Sequence, residues 1–248
     1  MRKNGASRTA VAAAALGTLL ALTSGCGSEQ QGDKGEKGAA GSVALRSPHT
    51  ADTTSTRTIP GIGDRLHRRI PADSRQVVAV YGAGRNSAYS NAVLYIKRGS
   101  TWERTRGWPA HNGKKGWTAD HHEGDRRSPI GVFTLSDAGG TLADPGARLP
   151  YTQDASFAAP HYWAESHWHD FDYVIAIDYN RVKGTPPDDP DRPQGDEKGG
   201  GIWLHMDHGS GTSACISVSK SAMEYLLRTL DPDLHPVMVM GDRAGLKA

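Results

Sequence analysis

The chain has 248 residues, enough for one sizeable domain with appendages. It carries 29 basic and 27 acidic side chains, which gives a formal net charge of +2 at pH 7. Three of the basic residues, Arg2, Lys3 and Arg8, stand in the first 25 residues, where there is no acid, so the rest of the chain is close to neutral. This balance excludes the strongly basic class of nucleic-acid-binding proteins, and we expect no nucleic-acid partner.

The N-terminal segment has the features of an export signal. Its basic residues precede an apolar run from Ala10 to Leu22, which is too short to span a membrane comfortably. The segment from Thr23 to Cys26 resembles the lipobox of bacterial lipoproteins, with Thr23 where leucine is usual. This predicts a lipoprotein signal peptide over residues 1–25 and a lipid anchor on Cys26. The protein is then extracytoplasmic, either lipid-anchored at the cell membrane or secreted to the cell wall.

Residues 26–69 are predicted to be a disordered tether. Their first part consists mainly of Gly, Ser, Thr, Gln, Lys, Glu and Ala, with few of the apolar residues that a packed core needs. We therefore expect the folded domain to cover residues 70–248.

Runs of β-branched and aromatic residues, bounded by Gly, Asn and Ser, predict a series of strands in that domain. They lie at Gln76–Tyr81, Asn91–Lys97, Ser100–Arg106, within 123–135, at Tyr173–Tyr179 and at His235–Met240. One helix is predicted over Ser219–Leu230, with a serine as N-cap and Asp231-Pro232 at its end. The pattern favours a mainly β, mostly antiparallel fold with one packed helix.

The stretch from Gly199 to Val218 contains the candidate chemistry. It reads as an apolar strand ending at His205, a hairpin-like polar turn, and Cys215 opening a second apolar run. A thiol needs a nearby imidazole to accept its proton before it can act as a nucleophile. A small buried cysteine and a structural histidine are the alternative interpretation of the same two residues, and residue types and spacing alone leave both open.

Two separated motifs resemble the L,D-transpeptidase (YkuD-type) catalytic domain. The run from Gly199 to Ser217 is similar to its active-site signature, and Ser128 to Phe133 (SPIGVF) is similar to its Thr-Pro-x-Gly-x-Phe strand. The triplet from Glu123 to Asp125 precedes the second motif as it does in one extracytoplasmic branch of that family. The resemblance covers residues 70–248 and implies a mixed β-sandwich fold.

The resemblance also implies a reaction and a set of roles. Cys215 would attack a peptidoglycan stem peptide, and the acyl-enzyme would pass to an amine, forming a cross-link, or to water. His205 would be the general base, oriented by the Met206 carbonyl or by Asp207. Backbone amides of Ser213, Ala214 and Cys215 would hold the oxyanion. Neither a metal nor an organic cofactor is implied.

The chain departs from the family pattern close to the cysteine. Ala214 stands where glycine is usual, Ser213 where a second histidine is usual, and Ser217 where the pattern has Arg or Asn. Ala214 is the best argument for a non-catalytic, wall-binding lipoprotein of the same fold. His208, between the two candidate residues, is expected to be a turn residue that tunes the site.

Other residues favour different predictions. His167 and His169 form a His-x-His pair that could supply two ligands of a zinc-dependent peptidase, although no complete zinc signature is present. Trp163, Trp168 and Trp203 could line a groove or pack in the core. The segment 183–198, rich in Pro, Asp and Gly, is either a flap over the cleft or a surface loop.

Overall fold

The computed structural model describes residues 55–248. The predicted signal peptide, Cys26 and residues 26–54 of the predicted tether lie outside the described residues, and their predictions stay predictions. Among residues 55–248, no helix is long and apolar enough to cross a membrane.

Short strands make up most of the regular structure. They are β1 (Ser55–Thr56), β2 (Gln76–Gly82), β3 (Tyr89–Arg98), β4 (Thr101–His111), β5 (Trp117–Thr118), β6 (Ser128–Pro129), β7 (Gly131–Thr134), β8 (Ala138–Gly140), β9 (Tyr151–Gln153), β10 (Val174–Ala176), β11 (Trp203–Met206), β12 (Ile216–Val218) and β13 (Val237–Asp242). The helices are α1 (Asp64–His67), α2 (Lys220–Thr229) and α3 (Arg243–Lys247).

One curled, mixed sheet contains eleven of these strands. Its order is β7-β13-β2-β3-β4-β12-β11-β10-β8-β9, with β1 paired to β4, while β5 and β6 pair separately. The strands β2, β3 and β4 form consecutive antiparallel pairs, as predicted. The pairs β13–β2 and β11–β12 are parallel, so the sheet is more mixed than the sequence pattern suggested. The predicted mainly β, sandwich-like fold is confirmed.

The neighbouring strands β2 and β13 are buried on both faces, and their side chains alternate between two apolar clusters. Val78 and Val80 of β2 point into the larger cluster, together with Leu204, Ile216 and the apolar face of α2. Val77 and Ala79, the intervening residues, point into the smaller cluster. This period-2 alternation explains the uninterrupted apolar run from Val77 to Val80, since neither face of that part of β2 meets water.

The helix α2 has the predicted position and the predicted cap. Ser219 is the N-cap, and its hydroxyl accepts a hydrogen bond from the amide of Ala222. Met223, Leu226 and Leu227 on one face are completely buried. The helices α1 and α3 are short additions that the sequence pattern did not predict.

The N-terminal boundary predicted at residue 69 lies too far along the chain. The strand β1 pairs with β4 in antiparallel fashion, with Ser55 opposite Glu103. Ile59 and Leu66 are each 1% exposed and belong to the smaller apolar cluster. Because these few apolar residues cover the second face of β2, residues 55–69 are part of the folded domain despite their polar composition.

Candidate active site

The site lies between the parallel strands β11 and β12. His205 is near the end of β11, and Cys215 directly precedes β12. His205 of β11 lies opposite Ser217 of β12, and the two strands are joined by residues 207–215. The predicted hairpin-like turn is therefore wrong, because a hairpin would make the strands antiparallel. The connection instead returns to the start of β11 and brings Cys215 beside Trp203.

Cys215 is half-buried, and its thiol is held by the backbone of the β11 segment. The Trp203 amide donates to Sγ at 3.4 Å, and Sγ lies 3.7 Å from the Gly201 carbonyl oxygen. Burial raises the pKa of the thiol to about 11. The hydrogen bond from the Trp203 amide favours the thiolate and acts in the opposite direction, but it is the smaller effect. Among the described residues Cys215 is the free cysteine, and at neutral pH it is a thiol.

His205 is 2% exposed, and one of its nitrogens has a backbone partner. Nδ1 lies 2.7 Å from the Met206 carbonyl oxygen. A carbonyl can only accept a hydrogen bond, so Nδ1 carries the proton and Nε2 keeps its lone pair. Burial lowers the pKa of His205 to about 4, and the Met206 carbonyl opposes this shift. At neutral pH the ring is therefore uncharged and able to accept a proton.

The two motifs that were singled out in the sequence meet at the segment before the cysteine. The Ser128 hydroxyl donates to the Ala214 carbonyl at 2.6 Å and accepts from the Gly113 amide at 2.9 Å. On the other side, the Thr212 hydroxyl donates to the Cys215 carbonyl at 2.6 Å. Ser128 is completely buried, so these bonds hold the approach to Cys215 in one conformation.

Ala214 fits the backbone that it occupies. Among residues 55–248, the non-glycine residues with positive φ are Arg126, Asn180 and His235, so Ala214 does not require the left-handed conformation that favours glycine. The amides of Ser213, Ala214 and Cys215 donate to no backbone carbonyl within the described residues, and the Cys215 amide approaches only its own thiol. They are free to donate to a ligand.

Asp207 bonds to Ser217 and His111, and neither Asp207 nor Ser217 is a hydrogen-bond partner of His205. Asp207 Oδ1 accepts from Ser217 at 2.6 Å and lies 2.8 Å from Nδ1 of His111. Of the two candidates for orienting His205, the Met206 carbonyl is therefore the one in contact with it. Ser217 is completely buried, so it joins β11, β12 and β4 through Asp207 and does not line the cleft.

Asp170, which the sequence analysis did not single out, connects His208 to a neighbouring histidine. Its Oδ2 lies 3.0 Å from Nδ1 of His208 and 2.9 Å from Nδ1 of His167. The Asp170 carboxylate raises the pKa of His208. The ring of His208 is stacked on that of His205, with centroids 6.2 Å apart and planes at 11°. His208 is thus a buried neighbour of His205.

The predicted His-x-His pair does not converge. His169 pairs with Asp172 at 2.9 Å and its side chain is 76% exposed, whereas His167 points to Asp170. Side chains two positions apart in a turn project in different directions, so the His-x-His spacing alone was misleading.

Cys215 and His205 line one cleft of about 600 Å³. Its wall is largely aromatic and includes Trp163, Phe171 and Trp203. The predicted groove role therefore fits Trp163 and Trp203, while Trp168 lies outside the lining. The segment 183–198 does not line the cleft either, although its Pro187 carbonyl accepts from the Trp203 indole at 3.0 Å.

A second, smaller cavity opens on the other side of Cys215. It has a volume of about 160 Å³, and its lining includes the polar side chains of His121, Glu123 and Arg126. The triplet from Glu123 to Asp125 thus lies beside the cysteine, with Glu123 in the lining. Ser213 and Cys215 belong to both cavities, so the thiol stands between them.

Comparisons with known proteins give one family and two solved structures of low similarity. The family model of the YkuD L,D-transpeptidase catalytic domain matches residues 87–239, more than half of the chain. Two solved structures are similar at low identity: Bd1075 of Bdellovibrio bacteriovorus (15% identity, TM-score 0.39, 74% of this chain and 52% of that one) and a fused Zn-dependent amidase/peptidase/peptidoglycan-binding domain-containing protein of Clostridium acetobutylicum (12%, TM-score 0.30, 67% and 50%).

The chain spans about half the length of these two structures. No curated protein matches the sequence. The matched range includes Ser128, His205 and Cys215, which belong to the two motifs. The chain therefore belongs to the YkuD L,D-transpeptidase family.

Proposed function

We propose that this protein is a peptidoglycan L,D-transpeptidase in which Cys215 is the nucleophile and His205 the general base. The observation that carries the proposal is that both side chains line one cleft, with Nδ1 of His205 bonded to the Met206 carbonyl and Nε2 left as an acceptor. A buried thiol and a neutral imidazole form the nucleophile–base arrangement that acyl transfer requires.

The pKa values of the pair indicate when the proton moves. With the thiol at about 11 and the imidazole at about 4, the resting site holds two neutral groups. His205 would take the thiol proton as Sγ bonds to the substrate carbonyl carbon, and would return it to the nitrogen of the leaving D-alanine as the C–N bond breaks. The product is a thioester on Cys215 and a neutral His205, ready for a second cycle.

The second half-reaction uses the same groups in reverse. An amine of another stem peptide, or water, would attack the thioester carbon and lose its proton to His205, and the thiolate would recover that proton. The two cavities that meet at Cys215 support this order, since one can hold the acyl group while the other admits the acceptor. The products are a cross-link or a shortened stem.

The tetrahedral intermediates need donors for their oxygen. The amides of Ser213, Ala214 and Cys215 donate to no backbone carbonyl within the described residues, and Ser128 and Thr212 restrain the carbonyls on both sides of them. Preorganised amides of this kind stabilise the developing charge without moving. Because Ala214 has no positive φ, the family's usual glycine is not required here.

The N-terminal sequence supports a place for this activity. The predicted signal peptide over residues 1–25 and the predicted lipid anchor on Cys26 would hold the domain outside the cytoplasm, at the membrane, where stem peptides occur. The apolar, aromatic cleft fits a peptide ligand.

Intact mass spectrometry tests the mechanism. The full chain is incubated with a tetrapeptide-bearing muropeptide and, separately, with a carbapenem, and any adduct is located by peptide mapping. We expect the acyl adduct on Cys215, none in Cys215→Ala, and at least a hundredfold slower formation in His205→Ala. His169→Ala, an exposed histidine outside the cleft, is the matched control and should acylate at the parent rate.

Three results would contradict the proposal. An adduct on another residue would remove Cys215 from its role. No adduct with either compound, in a folded chain with a reduced thiol, would favour the non-catalytic, wall-binding alternative. Activity that survives in Cys215→Ala but is lost with a chelator would instead point to a zinc-dependent peptidase.

A further inference from the structure

Three side chains that the cysteine mechanism does not use converge on one wall of the cleft. Nδ1 of His167 and Nδ1 of His208 both approach Oδ2 of Asp170, at 2.9 and 3.0 Å. The nitrogen and oxygen atoms of the three groups all lie within 4.8 Å of one another. The side chains of Asp170 and His208 are 5% and 4% exposed, so most of this cluster is shielded from solvent.

The hydrogen bonds of His208 within the described residues are poorly aligned. Nδ1 lies 3.0 Å from Oδ2 of Asp170, and the Gly211 backbone is a second polar neighbour, but neither ring nitrogen has a partner of good hydrogen-bond geometry there. The ring is therefore close to Oδ2 without being in line to donate to it. A buried polar group without a well-directed partner is costly, and a bound ion is one explanation for it.

Metal coordination explains the short separations at Asp170 and the poor alignment of His208. His167, whose Nδ1 is hydrogen-bonded to Oδ2 at 2.9 Å in this structure, would release its Nδ1 proton on binding the ion. In a tetrahedral zinc site with bonds of about 2.0–2.1 Å, neighbouring ligand atoms lie roughly 3.3 Å apart, and each lone pair points to the ion rather than to the next ligand. The separations around Asp170 Oδ2 are near this value. Imidazole nitrogen combined with a single carboxylate oxygen suits zinc and similar ions, whereas Mg²⁺ and Ca²⁺ prefer oxygen ligands.

We propose that His167, Asp170 and His208 form a mononuclear site for a divalent transition-metal ion of the Zn²⁺ type. The ligands are Nδ1, Oδ2 and Nδ1, and the fourth position faces the cleft that all three residues line. Three protein ligands with one open position is the arrangement of zinc sites that also bind water or a substrate group. The inference goes beyond the proposed function and does not depend on it, because neither Cys215 nor His205 is a ligand.

The position of the site determines which residue lies beside the ion and which kind of ligand the ion could bind. His208 is stacked on His205, so the ion would lie within one residue of the proposed base. The described residues that line the cleft include one permanent cation, Lys114. A metal ion held by His167, Asp170 and His208 would add a second positive charge to the cleft, and its open position would accept a carboxylate oxygen or water.

Metal titration tests the site directly. The full chain, treated with chelator and dialysed, is titrated with Zn²⁺ by calorimetry and with Co²⁺ by absorption spectroscopy. We expect one equivalent to bind, and the Co²⁺ spectrum to show four-coordinate visible bands without a sulfur charge-transfer band. His167→Ala, His208→Ala and the isosteric Asp170→Asn should each weaken Zn²⁺ binding at least a hundredfold. His169→Ala and Cys215→Ala should bind as the parent does.

His169→Ala is a close control. His169 pairs with Asp172 three residues later, just as His167 pairs with Asp170, but no third ligand among the described residues lies beside the His169–Asp172 pair. Asp170→Asn keeps the backbone bond from the Met206 amide to the residue-170 carbonyl, so its fold should survive, and circular dichroism checks this. Absence of one-equivalent binding, binding unchanged in the three ligand variants, or loss of binding in Cys215→Ala would overturn the site. Failure of acylation would leave this titration unaffected, so the two proposals fail separately.

Discussion

The protonation state of Cys215 gives the sharpest prediction about this chain. Burial raises the pKa of the thiol to about 11 from an ordinary value of 9.0. Since each pKa unit changes the thiolate population tenfold, about one thiol in ten thousand is ionised at pH 7, compared with about one in a hundred for an ordinary thiol. Alkylation reports the thiolate, so we expect iodoacetamide to react with Cys215 about a hundredfold more slowly than with the unfolded chain.

The assay follows alkylation of Cys215 by mass spectrometry from pH 6 to 11, in a Cys26→Ser chain that leaves one thiol. The same chain in denaturant is the reference. The rate should rise about tenfold per pH unit up to about pH 10 and begin to level off only as the pH approaches 11. His205→Ala should alkylate at nearly the parent rate, although its acylation by substrate is slowed, because a neutral His205 stabilises no resting thiolate.

A plateau with an apparent pKa at or below about 8, lost in His205→Ala, would refute this reasoning. That result would mean that the site holds a preformed thiolate–imidazolium pair. Burial would then have been outweighed by a charge interaction between the two residues, and His205 would transfer its proton to the leaving group without first accepting one.

Four further changes test the structure around the site. Ser128→Ala removes the hydrogen-bond donor to the Ala214 carbonyl and should lower the free energy of unfolding, measured with denaturant, by about 1–3 kcal/mol. It should also slow acylation, whereas Ser136→Ala, which lies outside this contact, should leave the acylation rate unchanged. Ala214→Gly should lower stability by about 0.5–1 kcal/mol without raising activity, since Ala214 has no positive φ to relieve; faster acylation would contradict this. His205 has a pKa of about 4 in the folded chain and 6.5 in the unfolded chain, so as the pH falls the unfolded chain binds a proton first. The free energy of unfolding that depends on a neutral His205, about 3 kcal/mol, is present above pH 6.5 and is lost as the pH falls to 4. Unfolding curves of the parent and His205→Gln should converge in that window, and parallel curves would refute it. Ile59→Ala should cost about 2–5 kcal/mol, and no change in the unfolding midpoint would remove the N-terminal segment from the core.

Local patterns predicted the elements whose own residues specify them. The helix with Ser219 as its cap and the β2–β3–β4 meander follow from hydrophobic periodicity and turn residues, which act over a few positions. The family resemblance rests on two short motifs, and the match over residues 87–239 confirms it. The N-terminal boundary was wrong because the few buried residues around Ile59 are diluted by polar neighbours.

The amino-acid sequence by itself therefore determined the mainly β class, the helix near the C-terminus, the family, and Cys215 and His205 as candidates. Tertiary structure alone decided what surrounds them. The parallel pairing of β11 with β12, the contact from Ser128 to Ala214 and the convergence of His167 with His208 on Asp170 join residues that lie far apart in the chain. No local pattern encodes such contacts, because they depend on how the whole sheet curls, and burial then sets the pKa values on which the chemistry depends.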